Sequence, residues 1–155
     1  MNIQRIVFLT IAAASVQFAM ALHKEVCLAE AGTLSEFITD AEKGEITSLT
    51  VKGPVNGTDM SLIRYMGGGA GFDETTPGKL ESLDLSEARI TAEETPYLTL
   101  GDDAYSSEED VLGPFMLYNC GSLTSIMLPA GLREIGDSSL GWCKKLAAVE
   151  IPESR

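Results

Sequence analysis

The stretch LGPFMLYNCGSLTSIMLP, residues 112–129, is followed by IGDSSLGWCKKLAAVEIP, residues 135–152, and the second restates the first 23 places later. Leu112, Gly113, Leu117, Cys120, Leu123, Ile126, Leu128 and Pro129 return as Ile135, Gly136, Leu140, Cys143, Leu146, Val149, Ile151 and Pro152. Five of these eight columns are identical and three exchange one aliphatic for another. A fixed period of this length is the signature of stacked repeats, each unable to bury its apolar face alone. Such a pattern predicts a fold and a surface, and no reaction.

Within each copy lies the word L-x-x-L-x-L, at Leu123, Ile126, Leu128 and at Leu146, Val149, Ile151. The last two apolar residues are two apart, so on an extended strand they share one face and the residue between them takes the other. The same word occurs upstream at Ile46, Leu49, Val51 and at Leu80, Leu83, Leu85. A small residue, Ser48, Ser82, Ser125 or Ala148, precedes the second apolar position each time. Four parallel strands are predicted, with Thr50, Asp84, Met127 and Glu150 in one outward row. The spacings between words are 34, 43 and 23, which places insertions at 52–79 and 86–111 and leaves 112–155 as regular repeats.

Residues 115–152 carry Cys-x-x-Leu-x-x-Ile-x-Leu-Pro, then Ile-Gly and a second Cys. In this they resemble the BspA-type leucine-rich repeats of secreted and surface proteins from anaerobic bacteria. The front half is similar to the leader domain that often precedes such repeats, through Ala31 to Leu34, Ile46 to Leu49, Gly53 to Asp59 and Lys79 to Leu85. Leu117 and Leu140 stand where that family usually has Phe. The resemblance implies an α+β repeat solenoid with short parallel strands and an N-terminal helical cap. It also implies binding or adhesion without a shared catalytic residue.

Residues 1–21 read as a secretory signal peptide: Arg5 gives a positive start, 6–14 an apolar run broken by Thr10, and Ala19-Met20-Ala21 a small-x-small cleavage site. No membrane span is expected once that segment is removed, and the address is secreted or cell-surface. Residues 22–45 then form an N-terminal segment in which Thr33-Leu34-Ser35-Glu36 spells a capping box. Leu34, Phe37, Ile38 and Ala41 follow at helical spacing, so a helix is predicted to cap the solenoid that occupies 46–155. A second, short helix through Met60, Leu62, Ile63 and Met66 is expected after a turn at 53–57, capped by Thr58 or Asp59.

Lys and Arg number 11 against 23 Asp and Glu, a net charge of −12. Such a surface repels phosphate backbones and anionic lipid heads, so nucleic acid is excluded as a partner. The Gly67-Gly68-Gly69-Ala70-Gly71 run fits neither the phosphate loop, which would need a hydroxyl where Leu80 stands, nor the dinucleotide fingerprint, which has Phe72 at its third glycine. A flexible insertion without a cofactor is expected. Asp102, Asp103, Glu108, Glu109 and Asp110 gather oxygen ligands in sequence, but not in the D-x-D-x-D-G order calcium favours, so a solvated acidic loop is expected and no metal.

The single histidine, His23, lies just past the cleavage site on a segment expected to be mobile. That leaves no positioned imidazole for a Ser or Cys nucleophile. Cys120 and Cys143 share one column of adjacent units and are expected as buried free thiols, because in-register side chains keep their Cβ atoms farther apart than a disulfide requires. The resulting expectation is a secreted, non-catalytic module that binds an extracellular protein or glycan through Thr50, Asp84, Met127 and Glu150. The alternatives are a structural spacer or fragment without a partner and, more remotely, a carbohydrate-active enzyme. Since 153–155 cannot cover Leu146, Val149 and Ile151, self-association through the C-terminal edge is also expected.

Overall fold

The structure, a computed structural model, describes residues 21–153. The expected signal peptide therefore lies almost wholly outside the described residues. In chain order the elements are β1 (His23–Cys27), two single 3-10 turns (Leu34–Glu36 and Glu42–Gly44), β2 (Ser48–Val55), α1 (Gly57–Met66), β3 (Ser82–Asp84) and β4 (Ala88–Ile90). After them come β5 (Pro96–Leu100), β6 (Asp103–Ser106), β7 (Val111–Leu112), β8 (Ser125–Met127), β9 (Glu134–Ile135) and β10 (Ala148–Glu150).

The central sheet has the order β1-β2-β3-β8-β10, with every pair parallel. Alternation along each short strand explains why these residues pair. Leu49, Leu83 and Ile126 point into the core at 1% exposure each, and the flanking residues face outward or sit at the rim. Past Lys52 the long β2 bends, and its end, Gly53–Val55, pairs with β4 instead. The amide of Asp110 then donates to Ile90 O at 2.9 Å, carrying the ladder toward β7, which pairs parallel with β9. Between these two ladders sit Ile46, Val51, Val55, Leu80, Leu85, Ile90, Leu112, Leu123 and Leu128, all fully buried.

Among the described residues this arrangement is a small α/β domain with a mostly parallel central sheet and a single α-helix, not the predicted α+β leucine-rich repeat solenoid. A solenoid needs at least three equivalent units stacked on one another. Here the three connections differ in kind. β2 reaches β3 through α1 and a glycine-rich segment, β3 reaches β8 through β4, an antiparallel β5–β6 hairpin and β7, and β8 reaches β10 through β9 and turns. The 23-residue period occurs once, and one interval does not establish an array.

The predicted N-terminal helical cap is also absent. A capping box requires the Thr33 hydroxyl to accept from the Glu36 amide, but that hydroxyl donates to Glu30 O at 2.7 Å and the Glu36 amide bonds to Thr33 O. The segment makes only its two 3-10 turns, with Leu34 buried and Phe37 left exposed. A tertiary contact fixes the turn instead: the Asp59 carboxylate accepts from the Leu34 amide at 2.9 Å. The true capping box is on α1, where Asn56 accepts from the Asp59 amide and Asp59 accepts from the Asn56 amide. Asn56, which precedes both residues expected from sequence, is the N-cap.

The start of the acidic stretch, Asp102 and Asp103, lies at the turn of the β5–β6 hairpin, which Tyr97 holds down, and Glu108 to Asp110 follow it. Tyr97 is 7% exposed and its hydroxyl donates to Pro114 O at 2.8 Å. Burial pushes its pKa up to about 12. Because the folded value exceeds the unfolded value near 10, this side chain favours folding below pH ~10 and loses that contribution as pH rises toward 12. Stability measured by urea titration is expected to fall by ~2 kcal/mol over that interval in the parent. In Tyr97→Phe that part of the fall should be missing; an identical alkaline slope in both proteins would assign the loss to other groups.

Candidate functional site

Parallel register decides which side chains meet on the outer face of the sheet. Thr50, Asp84, Met127 and Glu150 are successive Cα partners, and so are Ser48, Ser82, Ser125 and Ala148. The predicted row is therefore contiguous. Ser82, Asp84, Ser125, Met127, Ala148 and Glu150 line a concavity of about 180 Å³. Its floor is hydroxyl-rich, with Ser125 Oγ 3.4 Å from Ser82 Oγ. Asp84 is pinned by the Ser86 amide at 2.9 Å and the Ser86 hydroxyl at 2.6 Å, both onto Oδ1. Met127 adds an exposed thioether and Glu150 an exposed carboxylate.

Sequence reasoning missed the fifth strand of the row. His23 is not on a mobile segment: it opens β1, opposite Ser48, and Glu25 lies opposite Thr50. The alternation in His23-Lys24-Glu25-Val26-Cys27, with Val26 buried and its neighbours exposed, was the available signal. His23 Nδ1 stands 2.9 Å from Ser48 Oγ. That is the only side-chain hydrogen bond His23 makes among the described residues, so no third group orients the ring as a nucleophile–base pair requires. At the other end of β1, where Cys27 lies opposite Lys52, the Lys52 ammonium bridges Glu25 at 3.0 Å and Glu87 at 3.2 Å, and these carboxylates raise its pKa.

The two cysteines of the repeat differ in burial. Cys120 is fully buried, Cys143 is half-buried, and both thiols are free. The interaction between the two thiols raises the pKa of Cys120, with burial adding to it, and lowers that of Cys143, while Cys120 Sγ lies 3.7 Å from Arg64 O. Cys143 also donates to Leu117 O at 3.2 Å.

Other sequence features take packing roles. Gly67 and Gly69 are buried where a Cβ would press on Cys120 and on the Tyr118 and Asn119 carbonyls, and Gly69 bridges to Thr75, so the 67–79 segment folds back on itself. Within the acidic stretch, Glu109 and Asp110 are each 3.1 Å from Arg89, and no cluster of metal-ligating side chains forms among the described residues. Among the same residues no helix is long and apolar enough to cross a membrane. Compared with protein-family models and with curated proteins, the chain matches none.

Proposed function

We propose that this chain is a secreted or cell-surface, non-catalytic binding module whose partner, an extracellular protein or glycan, contacts the outward row of the parallel sheet. The observation that carries the reading is the register that aligns Thr50, Asp84, Met127 and Glu150, the last three of which line a concavity, with His23 and Glu25 on β1 extending the same face. None of these side chains is needed for the core, and together they offer acceptors, hydroxyls and one soft apolar contact. The double variant Asp84→Lys/Glu150→Lys is expected to lose binding in an array of extracellular proteins and glycans. Its circular dichroism should be unchanged, with a small stability loss from breaking the Asp84–Ser86 turn. Equal binding by parent and variant would remove the row as the site, and no binder at all would favour the structural-spacer reading.

A second reading concerns self-association. Val149 is 42% and Ile151 53% exposed, whereas their counterparts one strand inward, Ile126 and Leu128, are at 1% and 0%. Ile135 is exposed on the same end. Such a strand offers both apolar side chains and open backbone groups to a second copy. Sedimentation of the parent is expected to show a concentration-dependent dimer that Val149→Lys/Ile151→Lys abolishes. A parent that stays monomeric at high concentration would exclude it.

A further inference from the structure

We propose that a second cleft, walled by Phe72, Tyr118 and Trp142, is a binding site for a neutral sugar ring of a glycan. It has a volume of about 220 Å³, and its polar lining is Asp73, Thr75, Asn119 and Lys144. It shares no lining residue with the concavity over the strands, so it stands independently of the reading given above.

Trp142 is the telling residue. It is 63% exposed, the most open large apolar side chain among the described residues, and its φ is 57°. A bulky residue in the left-handed region is strained, whereas Asn tolerates it. Asn119, the counterpart 23 places earlier, takes φ 59° in the equivalent turn. At position 142 neither burial nor backbone preference favours tryptophan, yet the strained turn holds its ring out beside the cleft. Phe115, also left-handed at φ 56°, supports the floor: its ring centroid is 5.0 Å from that of Phe72 and 5.6 Å from that of Tyr118. The Arg64 guanidinium donates to Phe115 O at 3.4 Å, and Asn119 Nδ2 donates to Glu74 O at 3.2 Å, tying the two walls together. The cleft is thus assembled before any ligand arrives.

The lining chemistry selects the ligand class. Lys144 Nζ already lies 5.2 Å from the Trp142 ring centroid, so a cationic ligand on that face would meet an ammonium. An anion would meet Asp73 and a chain of net charge −12. A neutral pyranose suits both constraints: its C–H face lies on an aromatic ring, while its hydroxyls, which donate and accept, meet a carboxylate, an ammonium, an amide and a hydroxyl.

Trp142 is the only tryptophan in the chain, so tryptophan emission reports on this cleft alone. The full chain is titrated with neutral oligosaccharides of glucose, mannose, galactose, xylose and N-acetylglucosamine, with choline and inorganic phosphate as the cationic and anionic probes. At least one sugar is expected to change the emission saturably and to protect Trp142 from acrylamide. Asp73→Ala, at an exposed position, is expected to weaken that sugar at least about tenfold by fluorescence, and Trp142→Ala by a similar factor in calorimetry. The proposal is overturned if no sugar acts at millimolar concentration. It is equally overturned if choline or phosphate saturates the signal where sugars do not, or if calorimetric sugar binding survives Trp142→Ala unchanged.

Discussion

Asp59→Ala is expected to destabilise the protein by about 3 kcal/mol or more. The carboxylate is 1% exposed and gathers three backbone amides: Gly32 at 2.6 Å, Leu34 at 2.9 Å and Asn56 at 3.1 Å. It therefore caps α1 and, at the same time, fastens the 30–36 turn onto the helix N-terminus. Removing it strands donors that are largely shut off from water, at about 1–3 kcal/mol for each buried unsatisfied group. The loss would fall short of a simple sum, because Gly32 and the turn around it are only partly buried and can recover water. Asp59→Asn should fall between parent and alanine, since it keeps one acceptor but turns an amide N–H₂ toward another donor. Urea unfolding with an unchanged m-value checks this. A loss below about 1 kcal/mol for the alanine variant would mean that the turn detaches readily and that Asp59 serves α1 alone.

Gly53→Ala is expected to cost about 3 kcal/mol or to prevent folding outright. Gly53 takes φ +90°, and a Cβ there would collide with the Leu28 carbonyl oxygen. This is backbone against backbone, so no rotamer change relieves it. The position is also where β2 turns from its partners β1 and β3 toward β4, with the Leu28 amide donating to Lys52 O and the Gly53 amide to Glu87 O. Shifting the chain here would disturb both ladders at once. Gly44→Ala is the control: nothing lies within 4 Å of its would-be Cβ, and its φ is not left-handed. Thermal melting of the two variants should separate them clearly. Equal melting temperatures would show that the β1–β2 edge yields without consequence for the rest.

The strand words were legible because a two-residue period is a local property. Leu49 and Val51, Leu83 and Leu85, and Ile126 and Leu128 face the core in the spacing their sequence shows, and Thr50, Asp84, Met127 and Glu150 fall between them or beside them on the outward row. Register follows from that pattern, since a one-residue slip would turn every leucine to water. The connections were not legible in the same way, and they decide the architecture. Thr33-Leu34-Ser35-Glu36 spells a capping box, yet the Thr33 hydroxyl donates to Glu30 O, the Glu36 amide closes a tight turn on Thr33 O, and the Leu34 amide is held by Asp59, 25 residues away. His23 lacks a long apolar pattern around it, and only pairing with β2 places it beside Ser48. Nothing in the sequence around Trp142 fixes whether its ring is buried or open. Its exposure is set by a left-handed turn and by the lack, among the described residues, of anything packed outside it. Sequence alone determined which residues alternate along each strand, because side-chain direction on a strand depends only on neighbours. Tertiary structure decided the helix count, the rim strand and both concavities, because each depends on hydrogen bonds and packing between residues far apart in the chain.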